Sequence, residues 1–288
     1  MRLDRFRAAI LEWYAPRRHA YAWRRGRRSA YRTLVSEVML QQTQASRVEP
    51  TFEAFVASFP GIHALAQASR ADVLRAWAGL GYNRRAVALH EAARAIVRDH
   101  GGRVPVDNND ALLRLPGVGP YTAAAVASIG GGEAVAAVDT NVRRIVARAV
   151  HGAEPDEIPA HVLERNAQTW LDPSAPGDWN QALMDLGRLF CRPVPRCDGC
   201  PMATRCRFRR AARPGRPSGR RQVPFQGSAR QVRGAVVAML RTVPSASPEG
   251  LAQWTGHRIR AVAIATEALA GEGILERTRS GRFRLARR

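Results

Sequence analysis

A mainly α-helical chain that ends in a small α/β module is the fold class this sequence predicts. Three observations predict it. Apolar residues recur at helical spacing through residues 1–208, alternating strand-like stretches are hard to find before residue 270, and residues 228–288 read as three helices followed by a hairpin.

Taken in order, Leu34, Val35, Val38 and Met39 mark one helix, and Val73, Leu74, Trp77 and Leu80 another. Val87, Leu89, Ala92, Ala93, Ile96 and Val97 mark a third, which Gly101-Gly102 ends. Residues 104–110 read as a loop, with Asn109 or Asp110 as N-cap of a short helix before the Pro-Gly turn at 116–117. An arginine-rich stretch, 207–221, carries seven arginines, two prolines, two glycines and no acid, and predicts a linker that settles on phosphates. Beyond it, 231–241 reads as a helix, Ser247-Pro248 as an N-cap with proline at the first helical position, and 258–270 as a third helix. ILERTRSGRFRLA then alternates about Ser280-Gly281, a hairpin signal, so the module predicts a winged helix.

Charge narrows the function. The 288 residues carry a net charge of +21, which implies a polyanionic partner, most simply DNA or RNA. A basic ribosome-bound or membrane-surface protein is the competing reading. All 45 cationic side chains are arginine; with no lysine, Schiff-base catalysis by a side-chain amine is excluded. The opening MRLDRFRAAILEWY is too charged for a signal peptide, and no run approaches the roughly 18 apolar residues of a membrane helix. A soluble, cytoplasmic, nucleoid-associated monomer with no membrane partner is expected.

Residues 115–139, LPGVGPYTAAAVASIGGGEAVAAVD, hold most of the chemistry. Gly117, Val118 and Gly119 form a turn whose backbone can approach a phosphate, and the helix start after it favours an anion. The same turn also occurs between helices that bind nothing. Asp139 closes the segment, and Glu37 stands in an apolar helix, LVSEVML. A lone acid there is commonly a solvated edge residue. If buried, Glu37 stays protonated near neutral pH while Asp139 ionises, a division that suits glycosidic cleavage through an oxocarbenium-like state. On DNA the bond would join base to deoxyribose, and the base must first leave the stack. All four cysteines, Cys191, Cys197, Cys200 and Cys206, fall in one C-x5-C-x2-C-x5-C loop. That spacing favours a [4Fe-4S] cluster over structural zinc. Arg192 and Arg196 in the same loop could face a phosphate backbone.

SEVMLQQTQ at 36–44, GLGYNRRA at 79–86, LPGVGPYTAAAV at 115–126, VDTNVRR at 138–144, WNQALMDLGRLFC at 179–191 and the cysteine loop together resemble the helix-hairpin-helix DNA glycosylases. Within them the chain looks most like the adenine-specific mismatch glycosylases, the MutY family. The resemblance covers residues 20–206. It implies a two-lobed helix-hairpin-helix DNA glycosylase fold with a [4Fe-4S] cluster loop, followed by the winged-helix-like module. The implied domains are an iron–sulfur cluster domain (1–24 and 137–208), a six-helix domain (25–136), a linker (209–227) and the module (228–288).

The resemblance also implies roles. Glu37 protonates the departing adenine at N7. Asp139 stabilises or traps the sugar cation, and Asn141 orients Asp139. Tyr121 stands where lyase relatives of the endonuclease III type carry a lysine nucleophile. Gln42 and Tyr82 wedge into the duplex, Arg24 lies by the adenine pocket, and Arg143 joins the DNA contacts. The chain departs from the family in a first cysteine interval of five residues rather than six, in Ser29-Ala30 where Asp-Pro is usual, and in VDTNV where VDGNV is common. The module 228–288 stands where the family's Nudix-like, 8-oxoguanine-reading domain is expected. The reading is a monofunctional glycosylase removing adenine opposite 8-oxoguanine or guanine in double-stranded DNA. The alternatives are a mismatch thymine or uracil glycosylase, a lyase-type enzyme, which the lack of lysine disfavours, and a non-catalytic DNA-binding regulator, which Glu37 and Asp139 together disfavour.

Overall fold

The computed structural model describes residues 3–212, 214–215 and 224–287. The expected linker therefore lies partly outside the described residues. Along the chain run α1 (Leu3–Tyr14), α2 (Ala30–Leu40), α3 (Ala45–Ser58), α4 (Ile62–Gln67), α5 (Arg70–Ala76), α6 (Arg84–His100), α7 (Asn109–Leu113) and α8 (Pro120–Ala125). Then come α9 (Thr140–Val146), α10 (Ala160–Trp170), α11 (Pro176–Leu189), α12 (Arg207–Arg210), α13 (Ala229–Thr242), α14 (Pro248–Thr255), α15 (Ile259–Gly271), β1 (Leu275–Arg277) and β2 (Phe283–Leu285). The mainly helical reading holds, and the hairpin lies where alternation predicts it, with Leu275 opposite Leu285 and Arg277 opposite Phe283.

Local chemistry sets the boundaries. Ser69 and Ser247 cap α5 and α14 by accepting from the backbone N–H three residues on, and Pro248 occupies the first turn of α14. Gly101, in the left-handed region, ends α6. The α7 cap is Asn108, accepting from Ala111 N–H at 2.9 Å, one residue before the expected Asn109 or Asp110. All three side chains can cap, and only the apolar register of Ala111 and Leu112 selects among them. Two helices relax into π-helical turns, α8 into Val126–Gly131 and α9 into Ala147–His151. Such turns recur at functional sites.

The chain divides into two compact units. The first comprises Met1–Glu37, Val104–Arg114 and Val118–Gly219. Its core joins Phe6, Ile10 and Tyr14 of α1 to Ile145 and Val146 of α9, Leu163 of α10, and Trp179, Leu183 and Leu186 of α11. The second comprises Val38–Arg103, Leu115–Gly117 and Arg220–Arg288. It buries Phe52, Phe55, Leu65, Leu74, Trp77, Leu89 and Ile96. The C-terminal module packs against α5 in this unit: Arg70 Nη1 donates to Gly273 O at 3.2 Å, and Arg241 Nε to Leu74 O at 2.9 Å.

Candidate active site and cysteine loop

Helix α11 is the spine of the first unit's polar centre, and WNQALMDLGRLFC spells out its contacts. Trp179 fills the core. Asn180 accepts from Ala137 N–H and donates to Val135 O, both at 2.9 Å, fixing the strand-like approach to Asp139. Gln181 accepts from the Tyr14 hydroxyl. Asp185 receives Arg24 in a two-pronged pair, 2.6 and 3.2 Å. Gly187 gives room to Asn141: a Cβ there would lie 2.5 Å from Asn141 Cβ. Nothing local in WNQALMDLGRLFC marks Asp185 and Gly187 as residues that hold other members of the site, because both act through distant partners.

Glu37 is buried, 7% exposed, rather than a solvated edge residue. The Tyr121 hydroxyl donates to Glu37 Oε2 at 2.8 Å and also meets Met184 Sδ at 3.6 Å. Burial pushes the Glu37 carboxyl up to about 7; the Tyr121 bond opposes this rise and the Asp139 charge adds to it. Tyr121 is driven well above its ordinary value by burial and by the two carboxylates, so it remains a donor at neutral pH. Asp139 caps α9: Oδ1 accepts from Val142 N–H at 2.7 Å and Oδ2 from Asn141 Nδ2 at 2.8 Å. Burial raises its pKa too, but the Val142 and Asn141 donors and the Arg144 charge counter it. Two neighbouring carboxyls thus differ in kind: one takes a single hydroxyl bond, the other sits at a helix N-terminus among several donors. Glu37, Tyr121, Asp139 and Arg24 are electrostatic neighbours, so the structure brings these four together.

Arg24 is committed internally: its side chain is only 7% exposed, paired with Asp185 and lying over the rings of Tyr21 and Tyr14. Arg143 points outward and pairs with Glu164 at 2.6 Å. Its neighbour Arg144, not singled out from sequence, turns inward and donates to Asn141 Oδ1 at 2.6 Å and Cys191 O at 2.5 Å. Spacing on α9 alone distinguishes the two.

The four cysteines line one pocket with Ile145, Leu186, Phe190, Met202 and Phe208. Arg148, 2% exposed, holds the loop: it pairs with Glu154 at 2.7 Å and donates to Arg192 O and Pro193 O at 2.6 and 2.8 Å. Burial pushes the Cys200 thiol up to about 11. Among the described residues, no group of three or more His, Cys, Asp or Glu side chains is arranged to hold a single metal ion. Arg192 and Arg196 are exposed on this loop.

In the second unit, Gln42 and Tyr82 are two of the three non-glycine residues with positive φ among those described, at 57° and 45°. Both are exposed, Tyr82 at 44%. A left-handed backbone costs an L-residue roughly 1–2 kcal/mol, and such strain gathers where a side chain must be aimed. Arg85 ties the two turns. It donates to Val38 O at 3.0 Å, Met39 O at 2.8 Å, Gln41 O and Thr43 Oγ1 on one side, and to Leu80 O at 3.3 Å on the other. Its guanidinium also lies 5.4 Å from the Tyr82 ring centre. Arg85 stands inside GLGYNRRA, yet nothing in the sequence separates it from Arg84. In the 115–119 turn Gly117 has φ 76°, and a Cβ there would fall 2.9 Å from Ala88 Cβ. The Val118 side chain is 7% exposed, which leaves mainly backbone to offer a ligand, while Gly119 caps α8 with Pro120 at its first position.

Among the described residues no helix is long and apolar enough to cross a membrane. The family model of HhH-GPD superfamily base excision DNA repair proteins matches residues 35–173. The adenine DNA glycosylase of Mycolicibacterium smegmatis is 43% identical over 286 residues, 96% of this chain and 94% of that protein. That of Mycobacterium tuberculosis is 42% identical over 288 residues, covering 96% and 92%. With 96% aligned, the match runs through most of the C-terminal module. A solved thermostable thymine-DNA glycosylase superposes with a TM-score of 0.66 at 30% identity, over 73% of this chain and 97% of that one. At this identity and coverage, the chain belongs to the adenine DNA glycosylase family, within the HhH-GPD superfamily of base excision DNA repair proteins.

Proposed function

We propose that this chain is a monofunctional DNA glycosylase that hydrolyses the N-glycosidic bond of adenine paired with 8-oxoguanine or guanine. The Glu37–Tyr121–Asp139 arrangement carries the reading. Glu37, poised at about 7, delivers its proton to N7 of a flipped adenine while Tyr121 steadies the carboxyl. The C1′–N9 bond breaks with its electron pair going to the base. Asp139 faces the positive charge left on the sugar, with Asn141 and Val142 N–H holding its oxygens, until water adds at C1′ and its released proton returns to the Glu37 carboxylate. Tyr121 occupies the lyase position and the chain contains no lysine, so the product keeps an uncut strand. Gln42 and Tyr82 enter the duplex from their strained turns, and the Gly117–Gly119 backbone, Arg143, Arg192 and Arg196 meet phosphates. Arg24 supports the base pocket through Asp185.

The cysteine loop fits a [4Fe-4S] cluster held by Cys191, Cys197, Cys200 and Cys206. The thiols surround a pocket rather than converging on one ion, and the donor set is all thiolate. Bound there, the cluster would cross-link the loop that carries Arg192 and Arg196.

Single-turnover release of labelled base from A:8-oxoG, A:G, T:G and U:G duplexes tests the proposal. Release from the adenine duplexes, with strand cleavage appearing only after alkali, is expected. Release confined to T:G or U:G would overturn the adenine reading in favour of the thymine/uracil alternative, and release from none would refute the glycosylase reading altogether.

A further inference from the structure

The C-terminal module has a surface that base removal does not use. α14 and α15 are joined by a short turn in which Gly256 takes φ 69°, and the β1–β2 hairpin follows α15. This is a helix–turn–helix with a wing, a layout in which the start of the second helix enters a DNA groove. Arg258 and Arg260 flank the start of α15, and Arg279 stands at the hairpin tip; all three are exposed. Their guanidinium groups have no hydrogen-bond or ion-pair partner among the described residues. The module neutralises cations elsewhere: Arg233 pairs with Glu272 and Arg284 with Glu276, both at 2.6 Å.

The position of the wing adds the second observation. Arg241 Nη2 on α13 donates to Asn83 Oδ1 at 3.0 Å, next to Tyr82. Four residues on, Ser245 O accepts from Arg282 of the hairpin at 2.7 Å. Four residues of extended chain span at most about 14 Å. With two arginine side chains of roughly 7 Å and two hydrogen bonds of about 3 Å added, the path from Asn83 to Arg282 at the hairpin is at most roughly 40 Å, close to the ~34 Å turn of a duplex.

We infer that the C-terminal module is a second grip on double-stranded DNA. The start of α15 meets the duplex flanking the mispair through Arg258 and Arg260, and the hairpin tip meets a phosphate through Arg279. The inference takes from the proposed function only that Tyr82 faces duplex DNA. A protein partner would use the exposed Trp254, Ile259 and Ile264 instead; unpartnered cations at both the helix start and the hairpin tip favour the polyanion.

The test uses the full chain and its variant R258A/R260A/R279A, bound to a 40-base-pair duplex with a central A:8-oxoG pair over a salt series. Removing one arginine–phosphate pairing flattens log K against log salt by about 0.9. The expected result is a slope lower by about 2–3 and affinity reduced tenfold or more at 0.15 M salt. R5A/R98A/R165A, equal in charge change, should bind as the parent does. An unchanged slope in the first variant overturns the inference and leaves the surface to a protein partner; an equal loss in the control overturns it as bulk charge. Base release by the parent chain is scored separately. Arginine-dependent binding without any release would refute the glycosylase reading while leaving this inference standing.

Discussion

Replacing Glu37 with glutamine should abolish base release and at the same time stabilise the protein above neutral pH. The carboxyl is buried, and its pKa rises from about 4.5 unfolded to about 7 folded. A carboxyl raised on folding contributes its stability in the protonated form: fully below pH 4.5, and lost as pH climbs through 7. By pH 8 the wild-type chain has given up about 3 kcal/mol at this position, from roughly 1.4 kcal/mol per pH unit over the interval between the two values. Glutamine keeps an oxygen for the Tyr121 hydroxyl and has no charge to bury, so it avoids that loss. Thermal or denaturant melts of both proteins between pH 5 and pH 8.5 isolate the effect, because the titrations of groups not coupled to Glu37 cancel in the difference. The variant should gain on the wild type by about 2–3 kcal/mol across this range, or roughly 5–10 °C in melting temperature at the alkaline end. Base release by the wild type should decline as pH rises through about 7, whereas the variant should be inactive throughout. A stability difference that is flat with pH would refute the buried-acid argument, and a variant that still releases adenine would refute the proton-donor role.

Three further outcomes follow from the same geometry. Asp139→Asn keeps an oxygen for Val142 N–H, so α9 stays capped; release should fall by at least a thousandfold in single-turnover assays while duplex affinity stays within a few-fold. Gly187→Ala forces a methyl to 2.5 Å from Asn141 Cβ, which overpacking should punish by about 1–3 kcal/mol in melts; with the Asn141–Asp139 bond displaced, release should slow tenfold or more. Arg85→Met strips the Gln42 and Tyr82 turns of their shared donor; chemical denaturation should show a loss of about 2–3 kcal/mol, and a fluorescent base analogue beside the mispair should report weaker base extrusion.

Much of this site was legible because its residues act locally or through short spacing. Asp139 is followed two residues later by Asn141 and three later by the N–H it accepts, so one turn of helix builds the group. The cysteines lie within one loop, and the hairpin declares itself by alternation about Ser280-Gly281. The α7 cap missed by one residue because Asn108, Asn109 and Asp110 offer equivalent chemistry. What spacing could not show was long-range selection. Glu37 meets Tyr121 across 84 residues, Arg24 meets Asp185 across 161, and Gly187 matters only because Asn141 lies against it. None of these pairings leaves a periodic trace.

The arginines make the same point more sharply, because this chain uses one residue type for two opposite purposes. With no lysine available, both interior cross-links and phosphate contacts fall to guanidinium groups. A planar fork with five donors can staple several carbonyls at once, which a single ammonium does poorly. Arg85 joins two turns, Arg144 joins Asn141 to the cysteine loop, and Arg148 joins Glu154 to two backbone carbonyls of that loop. Arg24 and Arg241 are likewise spent inside the protein. These groups cannot also release counterions from DNA, so the net charge of +21 overstates the binding surface. Exposed arginines such as Arg192 and Arg196 on the cysteine loop and Arg258, Arg260 and Arg279 on the C-terminal module remain free to do so. The salt dependence of duplex binding should therefore track exposed arginines that face the duplex and be nearly blind to the buried ones, a distinction that composition alone cannot make.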